Sequence, residues 1–420
     1  MKRRVSLLIG VVAAVSVVRA ADWPAWRGPT GQGLCEEANV PLRWSGTQNV
    51  KWKVPLAHQG NSTPVVSRGR VFVTQANTDG QMRSLLCFDR ADGKLLWQRD
   101  VAYAEKELNW NRNWYCNASP ATDGERVVVS FGSAGMYCYD FDGKELWKRT
   151  DLGKWEHKFG NASSPVLYQD LAILWCGPNE RGGRNFLLAV RKTTGETVWE
   201  HNEPYGSWST PLIVNVNGQD QLLLGMALDR KNADESQFGF LKGFDPKTGQ
   251  ELWRCRGLSS YVYTSPLYAH GIAVAMSGYN GSAMAVKLGG RGDITKDRLW
   301  LHLRNTQRVG SGVIVGDYLY MVEENAVPHC YELKTGKEVW QVPERAKGGV
   351  TWGSIVHAAG RLYVLMRNAD MLVLAARPQY EVLAVNSLGG GEQTNSSPVI
   401  SDGEIFIRTF RHLWCISEKK

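Results

Sequence analysis

Four asparagines, two tryptophans, a tyrosine and an arginine recur at matched places along this 420-residue chain, and they are the residues best suited to hold a ligand. Asn61, Asn117, Trp208, Tyr263, Trp352 and Asn395 each stand three residues ahead of a proline or its positional equivalent. Asn161 and Arg308 stand one position further upstream in their own repeats. Carboxamides both donate and accept hydrogen bonds, and aromatic rings supply flat apolar faces. Gathered around one opening, such a set would bind a polar, flat molecule by stacking and amide hydrogen bonds. The asparagines also suit a purely structural task, satisfying backbone groups where strands begin. A second group, Trp110, Arg112, Trp114 and Tyr115 in LNWNRNWYC (108–116), consists of residue types enriched at interaction hot spots. It either meets a partner or folds down over the same opening.

Reactive constellations of the specific kinds are missing from the sequence. There is no Cys-x-x-Cys-His haem-attachment site, no metal-spaced histidine pair and no phosphate-binding glycine loop. GGRGD (289–293) and LGGGE (388–392) fall where turns belong. No catalytic residue and no metal ligand is therefore assigned. Of the eight cysteines, Cys87, Cys138, Cys330 and Cys415 occupy one repeated small position. Face-packed sheets lie about 10 Å apart, beyond the roughly 7 Å that a disulfide spans between Cα atoms. Those four are expected to be buried free thiols, whereas Cys35, Cys116, Cys176 and Cys255 lie outside that position and are open to pairing.

Positioning such residues around one opening falls to an internal repeat. Its first anchor is a hydroxyl residue, usually followed by proline, opening a short β-branched run: Thr63, Ser119, Ser164, Thr210, Ser265, Ser311, Ser354 and Ser397. The second anchor is a small residue, then a polar turn with glycine, then tryptophan, as in CFDRADGKLLW (87–97), AVRKTTGETVW (189–199), GFDPKTGQELW (243–253) and CYELKTGKEVW (330–340). The second unit shortens this turn and the fifth stretches it from Ala285 to Trp300. The seventh, AARPQYEVLA (375–384), has lost both glycine and tryptophan, and the eighth stops soon after Cys415. Between anchors the residues alternate apolar and polar, as in GRVFV (69–73) and GRLYV (360–364), with no sustained helical period. The pattern predicts an all-β, eight-bladed β-propeller of four-stranded antiparallel blades. NVKWKVPL (49–56) would supply the missing outer strand of the last blade, so that Trp52 closes the ring. Small residues suit eight inner strands converging on an axis, and the tryptophans would cover the seams between blades.

The first twenty residues differ in kind: Lys2, Arg3 and Arg4 precede an apolar run from Val5 to Val18, too short to cross a bilayer. This reads as a signal peptide (1–20) cut after Ala20, followed by a strap (21–48) and the propeller (49–420). A periplasmic or secreted protein is expected, with no transmembrane segment after cleavage. Cleavage reduces the net charge of +8 to 45 basic against 41 acidic residues, too small and scattered to suggest nucleic acid.

With these anchors in place, the chain resembles the PQQ-like (quinoprotein-type) repeat propellers, a BamB-like and quinoprotein alcohol dehydrogenase-like superfamily. It is most similar to exported bacterial propellers that begin with a WPxWRGPxxxG strap, here WPAWRGPTGQG (23–33). The resemblance implies the propeller and leaves two functions open. One is a protein-interaction or ligand-binding scaffold of the cell envelope, a monomeric propeller with an envelope protein or polymer as partner and no cofactor. The other is a PQQ- and calcium-dependent dehydrogenase oxidising alcohols or sugars at the axial mouth. Dehydrogenases of that kind commonly carry a disulfide between adjacent cysteines; here 21 residues separate even the nearest pair, Cys116 and Cys138. The scaffold is the expected function.

Overall fold

The structure, a computed structural model, describes residues 22–418 except 109–112, 180–181, 229–233, 279–280, 305–308 and 343–348. The leader, Trp110, Arg112 and Arg308 thus fall outside the described residues. Eight sheets follow one another along the chain, five of them built only from consecutive antiparallel strands. The first blade runs through Val65–Ser67, Arg70–Ala76, Met82–Asp89 and Leu95–Ala102. The last contains Val399–Ser401, Glu404–Arg408 and His412–Ser417, and its outer strand is Val50–Pro55 from the N-terminus, with Trp52 directly opposite Cys415. Among the described residues there is no α-helix, only three single turns of 3-10 helix, and no helix long and apolar enough to cross a membrane.

The eight repeated hydroxyls form a closed ring. Thr63 N–H donates to Ser119 Oγ (2.9 Å), Ser119 N–H to Ser164 Oγ (2.9 Å) and Ser164 N–H to Thr210 Oγ1 (3.0 Å). The sequence of bonds continues through Ser265, Ser311 and Ser354 to Ser397, whose N–H returns to Thr63 Oγ1 (3.1 Å). Each hydroxyl satisfies a backbone donor of the preceding blade that would otherwise be buried unpaired, at a cost of about 1–3 kcal/mol each. Serine and threonine, the residues found at all eight positions, supply that acceptor.

The tryptophans lock neighbouring blades at the rim. Trp52 Nε1 donates to Arg90 O (2.9 Å), Trp97 to Phe141 O (2.8 Å), Trp147 to Lys192 O (2.9 Å), Trp199 to Pro246 O (3.1 Å) and Trp300 to Leu333 O (2.8 Å). Each acceptor lies in the turn of the next blade, and the turn glycine sits under the same indole: a Cβ on Gly93, which has φ +76°, would come within 2.8 Å of Trp52. Glycine and tryptophan of the repeat are therefore partners across a seam, not within one blade. The stretched turn of the fifth blade removes that partner, so Trp253 turns inward to Gln221 Oε1 (2.7 Å). The inserted Gly292–Asp293 instead pairs with the outer strand Glu251–Leu258 as a fifth, parallel strand.

All eight cysteines are buried and free, so the pairing left open for Cys35, Cys116, Cys176 and Cys255 does not occur. Burial pushes the Cys116 thiol up to about 11 and Cys87 and Cys138 to about 12. The thiolate, not the thiol, is the reactive form. The folded protein should therefore leave Ellman's reagent essentially unreacted at pH 8 and release eight thiols per chain in guanidinium. Prompt reaction of several thiols before unfolding would contradict this packing.

Candidate functional site

The strap decides one end of the central channel. Trp23 is buried and pairs with Val66, Pro24 O accepts from Thr122 N–H (2.8 Å), and Leu34 pairs with His357. The strap thus passes beneath the first, second and seventh blades. Arg27 is fully buried; it donates to Ser311 O (3.2 Å), Gly312 O (2.6 Å) and Gln32 O, which bolts the strap to the sixth blade. Burial lowers its guanidinium to about 9, still charged at neutral pH. Trp26, next to it, lines the axial cavity from below and also borders a second cavity under the strap.

At the other end the described residues leave an axial cavity with about 970 Å³ of space including its mouth. Its walls contain Asn61, Asn117, Trp208, Tyr263, Trp352 and Asn395, so six of the eight expected residues converge. Asn161 joins through its backbone carbonyl, which accepts from Asn117 Nδ2 (2.8 Å), while its side chain packs against Gly132. Arg308 lies outside the described residues. The repeat order places amides on the eighth, first and second blades and aromatic rings on the fourth, fifth and seventh, so the mouth has a polar side and an apolar side.

The amide side is a directional chain. Arg367 Nε donates to Asn395 Oδ1 (2.9 Å), Asn395 Nδ2 to Asn61 Oδ1 (3.1 Å) and Asn61 Nδ2 to Asn117 Oδ1 (2.6 Å), ending on the Asn161 carbonyl. On the apolar side, Trp208 is held by its indole N–H on Gly160 O (2.8 Å) and by His157, edge-on at 4.5 Å, with Tyr263 at 4.8 Å. Trp352 donates to Glu324 Oε1 (3.0 Å) and carries the Arg367 guanidinium over its ring at 4.3 Å. Arg367 and Glu324 carried no repeat signal and were missed from sequence. So were Asn113 and Phe159, which complete the collar through Asn113 Nδ2 on Phe159 O (2.9 Å). Among the described residues lining the cavity none is charged.

The described ends of the loop ahead of the second blade are anchored. Arg83 and Glu107 form a buried pair (2.6 Å), Tyr115 lies against the Arg83 guanidinium, and Trp114 packs edge-on against Phe410 at 5.9 Å. Both rings are half-buried. Trp110 and Arg112, the other two residues read as a partner surface, lie outside the described residues.

A quinone cofactor of the PQQ kind brings several carboxylates and a calcium ion. The described lining offers that ion only amide and hydroxyl oxygens, with no carboxylate, and offers the acids no cation at the wall. These residues do not fit the pair.

The sequence profile of the family described as outer membrane protein assembly factor BamB matches residues 44–109 and 82–342. XoxF of Paracoccus denitrificans, named as a dehydrogenase, is 27% identical over 133 residues, 30% of this chain; the match spans only 20% of XoxF. Among solved structures, BamB from Moraxella catarrhalis aligns with a TM-score of 0.60 at 13% identity, over 87% of this chain and 96% of that one. A europium-containing methanol dehydrogenase aligns at 0.69 and 12% identity, over 92% and 89%. The quinohemoprotein alcohol dehydrogenase of Comamonas testosteroni aligns at 0.63 and 11%, over 95% and 81%. At such identities the likeness is one of fold.

Proposed function

The chain belongs to the family described as outer membrane protein assembly factor BamB, and on that premise we propose that it is a binding propeller of the cell envelope that performs no chemistry on what it holds. The observation that carries this reading is the axial mouth, where amides and aromatic rings converge and none of the described lining residues is charged. Such a wall recognises shape and hydrogen-bonding pattern. Among the described residues of its lining there is no carboxylate to hold calcium. The basic and then apolar leader supports export, and the family's name supports an envelope setting. The dehydrogenase alternative draws its support from the 27% identity to XoxF over 133 residues and from fold likeness to the two alcohol-oxidising enzymes, and both speak more for the fold than for an activity.

Trp26, Trp208 and Trp352 line the axial cavity, so an occupant should change the protein's own fluorescence. A soluble extract of the native envelope is expected to quench the wild-type protein and to leave Asn117→Ala largely unaffected. Incubation with PQQ and Ca²⁺ should leave no quinone absorbance on the protein after gel filtration. Retained quinone with dye-linked oxidation of alcohols or sugars would replace this reading with the dehydrogenase.

A further inference from the structure

We propose that the axial mouth binds a neutral saccharide, recognising a pair of adjacent hydroxyls along one edge of a sugar ring and stacking its C–H face on the opposite wall. The inference rests on the binding reading of the same mouth and names its ligand class.

The amide chain carries the first half. Asn61 uses one N–H on Asn117 and one oxygen lone pair on Asn395, and Asn117 uses one N–H on the Asn161 carbonyl and one lone pair on Asn61. A carboxamide has two N–H donors and two acceptor lone pairs. Asn61 and Asn117 each therefore keep one donor and one acceptor, side by side on a cavity wall. Because the chain runs from Arg367 to a backbone carbonyl, neither amide can flip without breaking it. A carboxylate would satisfy only the donors and leave the acceptors facing negative charge; an ammonium would do the reverse. A hydroxyl both donates and accepts, and two adjacent hydroxyls match two adjacent carboxamides.

The facing wall carries the second half. Trp208 is fixed by its bond to Gly160 O, and Tyr263 stands beside it with ring centroids 4.8 Å apart. Aromatic faces carry partial negative charge and attract the slightly positive C–H groups of a sugar ring. A planar acid would find the same stacking faces but no charged residue in the described lining. One polar edge and one apolar face, with no charged residue in the described lining, describe a pyranose.

The test uses the full mature chain and defined probes. Neutral oligosaccharides of the glucan, xylan and chitin series are titrated calorimetrically beside acidic ones, oligogalacturonate and alginate. At least one neutral series should bind with a submillimolar Kd, and the acidic series should not. Asn61→Asp keeps the shape but exchanges the amide donor for a charge, and Tyr263→Leu removes a stacking ring. Each should weaken binding about tenfold or more while circular dichroism shows the protein still folded, tenfold being about 1.4 kcal/mol. Neutral binding that both variants leave unchanged would overturn the assignment of the mouth. Binding of acidic glycans alone would overturn the ligand class. If no sugar binds while envelope extract still quenches fluorescence, the saccharide proposal fails and the binding propeller stands. Absence of both signals sinks both.

Discussion

Trp52→Ala is expected to lower the unfolding free energy by about 3–5 kcal/mol, the range for emptying a buried aromatic site. Trp52 is buried, its N–H is the donor to Arg90 O, and Gly93 presses against its ring. The strand that carries it, Val50–Pro55, is the outer strand of a sheet whose other members come from the far end of the chain. Loss of the indole therefore weakens the one seam that joins the termini. Trp340→Ala is the control. Its N–H reaches Arg377 O only at 3.4 Å, its ring is half-buried, and the turn it meets has no glycine. That variant should lose about 1 kcal/mol or less. Equal losses from the two, measured by denaturant unfolding, would mean that closure does not depend on Trp52.

The second large effect concerns the strap. Arg27→Ala should cost about 3 kcal/mol and convert the closed end of the channel into an open one. The cost has two sources, the cavity left by a fully buried side chain and the loss of the cationic donors held by Ser311 O, Gly312 O and Gln32 O. Relief of burying a charge offsets part of it, since burial already lowers this guanidinium to about 9. Arg27→Lys keeps the charge but cannot reach several carbonyls with one fork, so it should recover less than half of the loss. The strap's release would carry Trp26 away from the cavity floor, and it should appear as faster proteolysis near residues 23–33 while the blades resist. Resistance of the strap to protease in Arg27→Ala would show that Trp23 and the backbone pairing at Leu34 hold it without the arginine.

The arrangement of the mouth follows from how a propeller orders its repeats. Successive inner strands stand side by side around the axis, so a residue type that recurs in adjacent repeats becomes a continuous arc of wall. Asn395, Asn61 and Asn117 are distant in sequence at one step, yet the closure of the ring by Val50–Pro55 makes the eighth and first blades neighbours. The same closure makes Thr63 the acceptor for Ser397. One structural event thus completes both the hydroxyl ring and the amide chain.

The fold and most of the mouth were legible in the chain itself because a repeat writes the same physical requirement eight times. A hydroxyl at Thr63 and its seven equivalents, a small residue such as Cys87 or Ala189, and a tryptophan such as Trp97 each answer a local need, and their spacing reveals the blade. Six of the eight residues expected at the mouth sit on that period, and these six line one cavity. What tertiary structure alone decided lies off the period. Arg367 and Glu324 reach Asn395 and Trp352 of the lining from turns, Phe159 and Asn113 join from two different loops, and Trp26 from a strap that precedes the first blade. Periodicity reports which residues face the axis; it carries no information about contacts between segments joined only when the ring closes. The partnership of each tryptophan with the glycine of the next blade was hidden for the same reason: both belong to the motif, but the contact crosses a seam that sequence order does not show.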